Sequence, residues 1–266
     1  MHRFLPSPTV SAVHFGFLTI HIYALIILLG IVCAILVGRR CYANIGGDQD
    51  EITDIAFYAI PSGIIGGRLY HVLTSPDAYF GVNGHPWSAF KIWEGGMGIW
   101  GAIGLGTLVA YKVFTRKKRS LSFLQFADAL APGLLIAQGI GRWGNYFNIE
   151  LFGGPSRLPW ALSMPINYRP AGYENFQTFH PTFLYESLWC LLGAALVLFI
   201  SRRISLQTGA LFLGYIAFYC LGRLGIEYLR IDTAHHLWGL RINLWVSGFG
   251  LCVASYFLYR KMKTPR

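Results

Sequence analysis

Long apolar runs recur along the whole chain, and they restrict its possible folds more than any other feature of the sequence. Charged residues make up only 13% of the 266 residues and hydrophobic residues 54%, whereas a soluble domain carries about 25% charged residues. These proportions exclude a disordered chain and an ordinary soluble enzyme. Because a membrane span needs roughly 20 apolar residues, we predict an all-α integral membrane protein with about seven transmembrane helices in a single polytopic domain, residues 1–266. The predicted spans are residues 15–38, 54–74, 92–114, 121–141, 180–201, 208–230 and 242–259.

The positions of the basic residues predict the direction in which the chain crosses the membrane. Thirteen of the 22 lysines and arginines lie in four clusters, and each cluster follows a long apolar run, as at the cytoplasmic ends of membrane helices. The net charge of +10 is therefore a topology signal, and we predict no nucleic-acid partner. The N-terminus is expected outside, the C-terminus in the cytoplasm, and residues 75–91 and 142–179 in extracytoplasmic caps at the membrane interface. The clusters are Arg39 and Arg40; Lys112 with Arg116, Lys117, Lys118 and Arg119; Arg202 and Arg203; and Arg260, Lys261, Lys263 and Arg266.

Several polar side chains are predicted to lie at membrane depth, where an unpaired arginine costs a few kcal/mol. The predicted topology places four arginines in the outer half of the membrane. A tyrosine and a histidine from two other spans are expected at a similar depth. We therefore predict one polar site in the outer half of the membrane. These residues are Arg68, Arg142, Arg223, Arg230, Tyr23 and His180.

The sixth predicted span carries a row of polar side chains at spacings of four, four and three residues, which put them on one face of a helix. Within this row, Glu227 can pair with Arg223 or with Arg230. One interpretation is a self-neutralising ladder that only allows the helix to enter the membrane. The row consists of Tyr219, Arg223, Glu227 and Arg230.

The arginines of the predicted site outnumber the nearest acidic residues. Arg68, Arg142 and Arg223 cannot all be neutralised by the two candidates, Glu150 and Glu227. An excess of guanidinium groups favours an anionic ligand, and their planar pairs of donors suit phosphate oxygens. The sequence therefore predicts a ligand that carries phosphate.

Two glycine-rich stretches lie at predicted membrane boundaries. In residues 139–150, the glycines allow backbone N–H groups to approach a ligand, and Asn145 and Asn148 add neutral donors. Residues 93–101 open the third predicted span. Their glycines either allow helices to pack closely or face a ligand, and the sequence leaves both possibilities open.

The sequence predicts neither a metal nor a cofactor. The five cysteines are odd in number and lie mostly in apolar runs, so they form neither a disulfide framework nor a CxxC site. His235 and His236 resemble a metal-binding pair, but no acidic or thiol partner lies near them in the sequence. We interpret this pair as part of a solvated loop.

Residues 141–153 resemble the signature of the prolipoprotein diacylglyceryl transferases, bacterial membrane enzymes that lipidate lipoprotein precursors. The signature reads Gly-Arg-x-Gly-Asn-aromatic-x-Asn-x-Glu-x-x-Gly, and every position matches here. Further matching blocks follow in the expected order and span nearly the whole chain. They are His21-Ile22-Tyr23, Gly67-Arg68-Leu69, Trp93-Glu94-Gly95-Gly96, His180-Pro181-Thr182 with Leu184-Tyr185-Glu186, and the row Tyr219, Arg223, Glu227 and Arg230.

The resemblance implies a location in the bacterial cytoplasmic (inner) membrane and a specific reaction. An sn-1,2-diacylglyceryl group moves from phosphatidylglycerol to the lipobox cysteine in the signal peptide of a prolipoprotein, and glycerol phosphate leaves. The expected partners are therefore phosphatidylglycerol, the prolipoprotein and membrane lipids. By resemblance, the catalytic residues are Arg142, Arg223, Glu150 and Tyr23, and the phosphatidylglycerol-binding residues are Arg142, Asn145, Asn148, Arg68, Tyr219, Glu227 and His180.

One position departs from the family pattern. Many members carry a histidine just after the glycines of the third span, and that histidine has been considered as the base for the cysteine thiol. Here the position is Trp100. We expect Glu150, His180 or Tyr23 to assist instead, or nearby arginines to lower the pKa of the thiol.

Two other classes of function compete with the transferase. A transporter or flippase for a phosphorylated lipid would use the same arginines, but it predicts inverted repeats, and the sequence shows none. A purely structural membrane protein would use buried ions only to fix the packing of its helices. Neither alternative accounts for the ordered motif blocks.

Overall fold

The computed structural model describes residues 4–16, 18–82, 84–234 and 236–263. His235 and Arg266, named in the predicted metal-like pair and the last basic cluster, lie outside these residues. The contacts of the chain form two compact units, one made of residues 1–38 and 127–266 and the other of residues 39–126.

The described part of the chain is helical, with three small two-stranded sheets. The helices are α1 (Ile22–Asn44), α2 (Gln49–Thr74), α3 (Asp77–Phe80), α4 (Ile99–Arg116), α5 (Phe123–Phe147), α6 (Thr182–Arg203), α7 (Ala210–Leu229) and α8 (Ile242–Lys263). The antiparallel pairs are β1 (Ala12–Phe15) with β2 (Leu18–His21), β3 (Leu162–Ser163) with β4 (Thr178–Phe179), and β5 (His236–Leu237) with β6 (Leu240–Arg241).

The helices confirm the prediction of a helical membrane protein. Among the described residues, five helices are long and apolar enough to cross a membrane: α1, α5, α6, α7 and α8. Helices α2 and α4 coincide with the second and third predicted spans but do not meet the same requirement of length and composition.

Three predicted boundaries are wrong. Residues 15–21 do not begin a helix, because β1 and β2 form a hairpin there, with His14 Nδ1 3.0 Å from the hydroxyl oxygen of Thr19. Residues 92–98 precede α4, because Gly95 and Gly96 have φ angles of +85° and +70°, which a helix does not accept. The fourth predicted span, 121–141, ends too early, since α5 continues to Phe147.

The starts of two long helices have specific caps. At α5, the hydroxyl of Ser122 accepts the backbone N–H of Gln125, and the Gln125 side chain accepts the backbone N–H of Ser122 at 2.9 Å. This reciprocal pair satisfies two N–H groups that the helix leaves open. At α7, the carboxylate of Asp128 on α5 accepts the N–H groups of Gly209 and Phe212, at 2.5 and 2.8 Å. Asp128 thereby joins two helices at one end.

The first unit has a helical core and a second core formed mainly by the chain between α5 and α6. Helix α7 packs against α6 and α8, and the helical core consists of Ala131, Leu135, Cys190, Ala194 and Val197. Between α5 and α6, the chain folds around a second buried cluster of Phe152, Leu162, Met164, Phe179 and Phe183. This cluster fixes the chain that follows α5.

The second unit is built on close packing of α2 against α4. A methyl group on Gly101 would overlap the carbonyl oxygen of Gly66 and the Cβ atom of Tyr70. The N–H of Gly98 donates to the carbonyl of Gly67 at 2.8 Å. Of the two possibilities for residues 93–101, the structure therefore supports close packing at Gly98 and Gly101.

Replacing Gly101 by alanine should destabilise the protein, because the added methyl group meets a backbone carbonyl that cannot move aside. Overpacking of this kind costs roughly 1–3 kcal/mol. Gly104→Ala is the matched control on the same helix, since nothing lies within 4 Å of the added methyl group. Thermal unfolding in detergent measures both variants. Equal unfolding temperatures for Gly101→Ala and Gly104→Ala would contradict the packing.

Candidate active site

The last turns of α5 present the first part of the candidate site. Arg142 and Asn145 lie one turn apart, and the guanidinium of Arg142 donates to the side-chain oxygen of Asn145 at 3.3 Å. The amide nitrogen of Asn145 donates in turn to the carboxylate of Glu150 at 2.8 Å, and that of Asn148 donates to the same oxygen at 3.2 Å. The structure thus brings together four of the predicted site residues.

The turn after α5 holds Glu150 in place by unusual backbone geometry. Ile149 and Leu151, on either side of Glu150, have φ angles of +54° and +58°. Side chains with a Cβ atom rarely adopt this left-handed region, and for a β-branched residue it is strained. The backbone N–H of Glu150 donates to the carbonyl of Asn145 at 3.1 Å. The strain and this bond direct the carboxylate of Glu150 toward the asparagine amides.

Glu186 on α6 bridges the two arginines that the sequence singles out. One carboxylate oxygen lies 2.6 Å from Nε of Arg142, and the other accepts a 2.6 Å hydrogen bond from Arg223 on α7. Only 7% of the Glu186 side chain is exposed. A charge this buried is stable only when it is paired. Glu186 therefore couples α5, α6 and α7 at one point.

A second carboxylate extends the network. Glu227 is fully buried, and its oxygens lie 2.6 Å from Arg223 and 2.7 Å from Arg241. Arg230 lies 3.4 Å from the same carboxylate, and the amide of Asn243 donates to it at 3.1 Å. Both pairings that the spacing of α7 predicts for Glu227 are present.

Asp232 closes the network beyond the end of α7. It accepts two hydrogen bonds from Arg230, at 2.7 and 2.9 Å, and one from Arg241 at 2.9 Å. Burial raises the pKa of the Asp232 carboxyl, but the hydrogen bonds and charges of Arg230 and Arg241 outweigh it, so the pKa lies below its ordinary value. The carboxylate stays ionised at neutral pH, and its stabilising contribution is lost only as the pH falls into the acidic range.

The predicted excess of arginines over acidic residues is smaller in the structure. The prediction considered Glu150 and Glu227 alone, whereas Glu186 pairs directly with both Arg142 and Arg223. Among the described residues, the ion-paired network holds four arginines and three carboxylates: Arg142, Arg223, Arg230 and Arg241 with Glu186, Glu227 and Asp232. One positive charge remains in these ion pairs, and the side chain of Asn145 lies between Arg142 and the carboxylate of Glu150.

Two tyrosines flank Arg142. The ring of Tyr23 on α1 packs against Gly144 so closely that a Cβ atom on Gly144 would overlap the ring. Tyr219 on α7 faces the guanidinium of Arg142, and its ring is tilted by 37° against that of Tyr215, with 6.5 Å between the ring centres. Both predicted tyrosines therefore lie next to Arg142.

His180 is held outside the arginine network. Its Nδ1 atom lies 3.1 Å from the hydroxyl oxygen of Tyr185, and that hydroxyl accepts the indole N–H of Trp160 at 3.2 Å. The carbonyl of His180 accepts the N–H of Gly153 at 2.9 Å. Its predicted role in lipid binding remains a prediction.

Arg68 belongs to the second unit, where backbone carbonyls satisfy it. Its guanidinium donates to the carbonyls of Ser88, Ala89, Lys91, Gly95 and Gly96. It also lies 5.3 Å from the centre of the Tyr79 ring. Five N–H donors thus have five acceptors, so Arg68 anchors the chain between α3 and α4. Its predicted role in lipid binding remains untested.

Two cavities of very different size are lined by residues of the candidate site. A cavity of about 10 Å³, lined by Glu186, Cys190, Tyr219 and Arg223 among others, lies beside the arginine pair. A cavity of about 310 Å³ opens beside Asn148 and is lined by residues of the N-terminal segment, the turn after α5 and Tyr168. Only the second is large enough for the headgroup of a lipid.

The described residues contain no group of three or more His, Cys, Asp or Glu side chains arranged for a metal ion. All five cysteines are free thiols. The polar groups of the network are paired with one another.

Comparison with known proteins identifies the family. A family model described as prolipoprotein diacylglyceryl transferase matches residues 10–260. The chain belongs to this family. A phosphatidylglycerol–prolipoprotein diacylglyceryl transferase of Cutibacterium acnes is 52% identical over 239 residues, which cover 90% of this chain and 80% of the relative. A protein of Streptomyces coelicolor with the same name and the number 2 is 50% identical over 244 residues, covering 92% and 76%. The resemblance seen in the motif blocks is therefore confirmed.

Some members of the network are absent from the sequence prediction. Glu186 lies within one of the family's motif blocks, but its place as a partner of Arg142 and Arg223 was not predicted. Burying a carboxylate in an apolar span costs about as much free energy as burying an arginine. The position of Glu186 inside a predicted span could therefore have indicated that it has a cationic partner. Arg241 follows a tight hairpin at Trp238 and Gly239, which have φ angles of +51° and +79°. No local pattern indicates that this hairpin returns Arg241 to Glu227.

Replacing Glu186 by glutamine should destabilise the protein strongly. The amide retains the shape but removes the charge between two guanidinium groups, and breaking a buried ion pair costs roughly 3–5 kcal/mol. In a protein of this size, that corresponds to a fall of about 5 °C or more in the unfolding temperature. Thermal unfolding in detergent measures the change.

Glu174→Gln is the control for this variant. The Glu174 side chain is exposed and accepts the backbone N–H of Gly172 at 3.0 Å, a bond that glutamine retains. It should unfold within about 1 °C of the parent. A Glu186→Gln protein that unfolds like Glu174→Gln would show that Glu186 does not stabilise the arginine pair.

Proposed function

We propose that this protein transfers the sn-1,2-diacylglyceryl group of phosphatidylglycerol to the lipobox cysteine of prolipoproteins, the first step of bacterial lipoprotein maturation. The observation that carries the proposal is the arginine pair Arg142 and Arg223, held by Glu186 within apolar helices. The chain belongs to the family with this activity, and two relatives with this name share about half of its residues.

The chemistry joins a sulfur atom to carbon and separates a phosphate. The cysteine thiolate attacks the glyceryl carbon that bears the phosphate ester, a C–S bond forms, and the C–O bond to phosphate breaks. The electron pair of that bond leaves with glycerol phosphate. The phosphate carries one negative charge as a diester in the lipid and two as the monoester that leaves. Guanidinium groups fixed near the phosphate stabilise this added charge without having to reorganise.

The network suits the binding of phosphate before and after the reaction. Arg142 uses Nε for Glu186 and one terminal nitrogen for Asn145, and its side chain remains 21% exposed. Arg223 uses both terminal nitrogens for Glu186 and Glu227. Arg142 therefore binds the lipid phosphate directly, together with Asn145 and Asn148. Arg223 does not contact the phosphate, but its positive charge lies on the other side of Glu186 and stabilises the bound anion.

Glu150 is the best candidate for the base that takes the thiol proton. Trp100 at the family's histidine position has no basic nitrogen, and the indole N–H only donates. Both asparagine amides bind one oxygen of Glu150, which leaves the other oxygen of this exposed side chain for the thiol. His180 is engaged with Tyr185, and a tyrosine such as Tyr23 would first have to ionise.

The proposal includes a place in the cell and an orientation. The protein lies in the cytoplasmic (inner) membrane with its N-terminus outside and its C-terminus inside. Helices α2 and α4 cross the membrane in addition to the five apolar helices, which gives seven spans. The four basic clusters support this orientation, since α8 ends with Arg260, Lys261 and Lys263. The site then lies in the outer half, near residues 148–181, so glycerol phosphate leaves through the 310 Å³ cavity beside Asn148.

Release of glycerol phosphate tests the activity directly. The assay uses purified protein in micelles that contain phosphatidylglycerol, with a signal peptide that carries the lipobox cysteine. Arg142→Ala and Arg223→Ala should each lower the rate at least about 100-fold, as expected for loss of a charge stabiliser. Arg157→Ala is the control, because Arg157 is an exposed arginine between α5 and α6, and it should retain the parent rate.

A peptide with serine in place of cysteine separates transfer from the alternatives. No release with this peptide, and release with the cysteine peptide, would support the transferase. Release without any peptide cysteine would indicate a phospholipase. Bound lipid without release in either case would indicate a lipid carrier, and both results would overturn the proposal.

The dependence of the rate on pH tests the base. If Glu150 takes the thiol proton, Glu150→Gln should lower the rate and remove the acidic limb of the pH–rate profile. His180→Ala should retain that limb, because its ring contacts Tyr185 rather than the network. Loss of the limb in His180→Ala, with an unchanged profile for Glu150→Gln, would assign the base to His180.

A further inference from the structure

A basic cavity in the second unit has no part in the proposed reaction. It lies between α2 and the end of α4 and has a volume of about 280 Å³. Its lining residues are Asp54, Phe57, Tyr58, Val113, Arg116, Lys117 and Arg119. Three cations thus face the same space as one carboxylate.

Two of these cations are available to a ligand. Among the described residues, Arg116 has no ion-pair partner. Lys117 lies 3.3 Å from Asp54, but both side chains are more than half exposed. Such a surface pair contributes little free energy, about 0–1 kcal/mol, so an anion with a higher charge density can replace Asp54 at Lys117.

The third cation, Arg119, is held in place by contacts within the protein. Arg119 is buried, with its Nε 3.0 Å from the carboxylate of Glu51. Its guanidinium donates to the carbonyls of Val113 and Phe114 and lies 4.7 Å from the centre of the Phe114 ring. Arg119 therefore keeps its position whether or not a ligand is present.

The surroundings of the cavity match the boundary between lipid headgroups and acyl chains. Arg116 ends an apolar helix, and cations at such ends lie at the level of the phosphates. Phe57 and Tyr58 on α2 line the same cavity and are 73% and 51% exposed. An acyl chain can lie along these rings while a phosphate meets Arg116 and Lys117.

We propose that this cavity binds the phosphate group of an anionic phospholipid at the adjoining membrane surface. The lipid is a structural ligand and not the substrate, since none of the lining residues belongs to the network around Glu186. By bridging Arg116 and Lys117 on α4 to the aromatic side chains of α2, it should stabilise the packing of these two helices. Inorganic phosphate shares the anionic chemistry but lacks the acyl chains.

Thermal unfolding with added lipid tests the proposal. The protein is stripped of lipid in a neutral detergent, and dioleoyl phosphatidic acid, dioleoyl phosphatidylcholine or inorganic phosphate is added. Phosphatidic acid should raise the unfolding temperature, and the other two should not. An equal rise with inorganic phosphate or phosphatidylcholine would overturn the assignment to an anionic lipid.

Two double variants of equal charge locate the site. Arg116→Gln with Lys117→Gln should weaken the apparent affinity for phosphatidic acid at least about 10-fold, which corresponds to the loss of two charged contacts. Lys112→Gln with Lys118→Gln is the control, because these exposed lysines do not line the cavity. An equal loss of affinity in both double variants would show diffuse charge attraction and overturn the site.

Two further measurements show whether the effect of phosphatidic acid arises at the substrate site and whether the double variant is folded. Arg142→Ala should retain the rise with phosphatidic acid, and loss of the rise in this variant would place the lipid at the substrate site instead. The Arg116→Gln, Lys117→Gln protein should release glycerol phosphate at the parent rate in phosphatidylglycerol micelles, which shows that it is folded. Native mass spectrometry should find one anionic lipid fewer on it than on the control.

Discussion

The carboxylate of Glu186 between Arg142 and Arg223 is the interaction on which the rest of the site depends. Each of its oxygens lies 2.6 Å from a guanidinium nitrogen, and the three residues come from three different apolar helices. A buried charge is tolerated only with its partner in place, so these helices cannot pack correctly unless the three side chains meet. Glu227 on α7 forms a similar buried contact with Arg241 on β6 and with Asn243 in the first turn of α8.

The balance of charge in this network suits a reaction that produces charge. With four arginines and three carboxylates in ion pairs among the described residues, the network retains about one positive charge. A phosphodiester, which carries one negative charge, would neutralise it. In the proposed reaction, the second negative charge that develops on the leaving phosphate would meet guanidinium groups already in position, so the interaction would strengthen toward the transition state. Catalysis requires this difference, since equal binding of substrate and transition state would not raise the rate.

The sequence predicted those parts of the site that local periodicity determines. The row on α7 follows from helical spacing, and Arg142, Asn145 and Glu150 follow from one continuous stretch, so both were found. Glu186 and Arg241 reach the network through tertiary packing, and no spacing in the sequence predicts which arginine a distant carboxylate will meet. The predicted starts of α1 and α4 were wrong because hydropathy, too, carries no information about the backbone conformation. The hairpin before α1 and the left-handed glycines before α4 have apolar neighbours, and hydropathy alone does not distinguish them from helix.

Arg68 and Arg142 differ in the groups that accept hydrogen bonds from their guanidinium groups. The sequence placed both at similar depth, and the family resemblance gave both a role in phosphatidylglycerol binding, with a catalytic role for Arg142 alone. In the structure, all five N–H donors of Arg68 have backbone carbonyls as acceptors, and a phosphate could bind only by displacing the chain that they hold. Arg142 pairs with Glu186 and Asn145 and remains partly exposed. A cation saturated by carbonyls stabilises the fold, whereas one that is paired with side chains and still reaches solvent can exchange part of its contacts for a substrate.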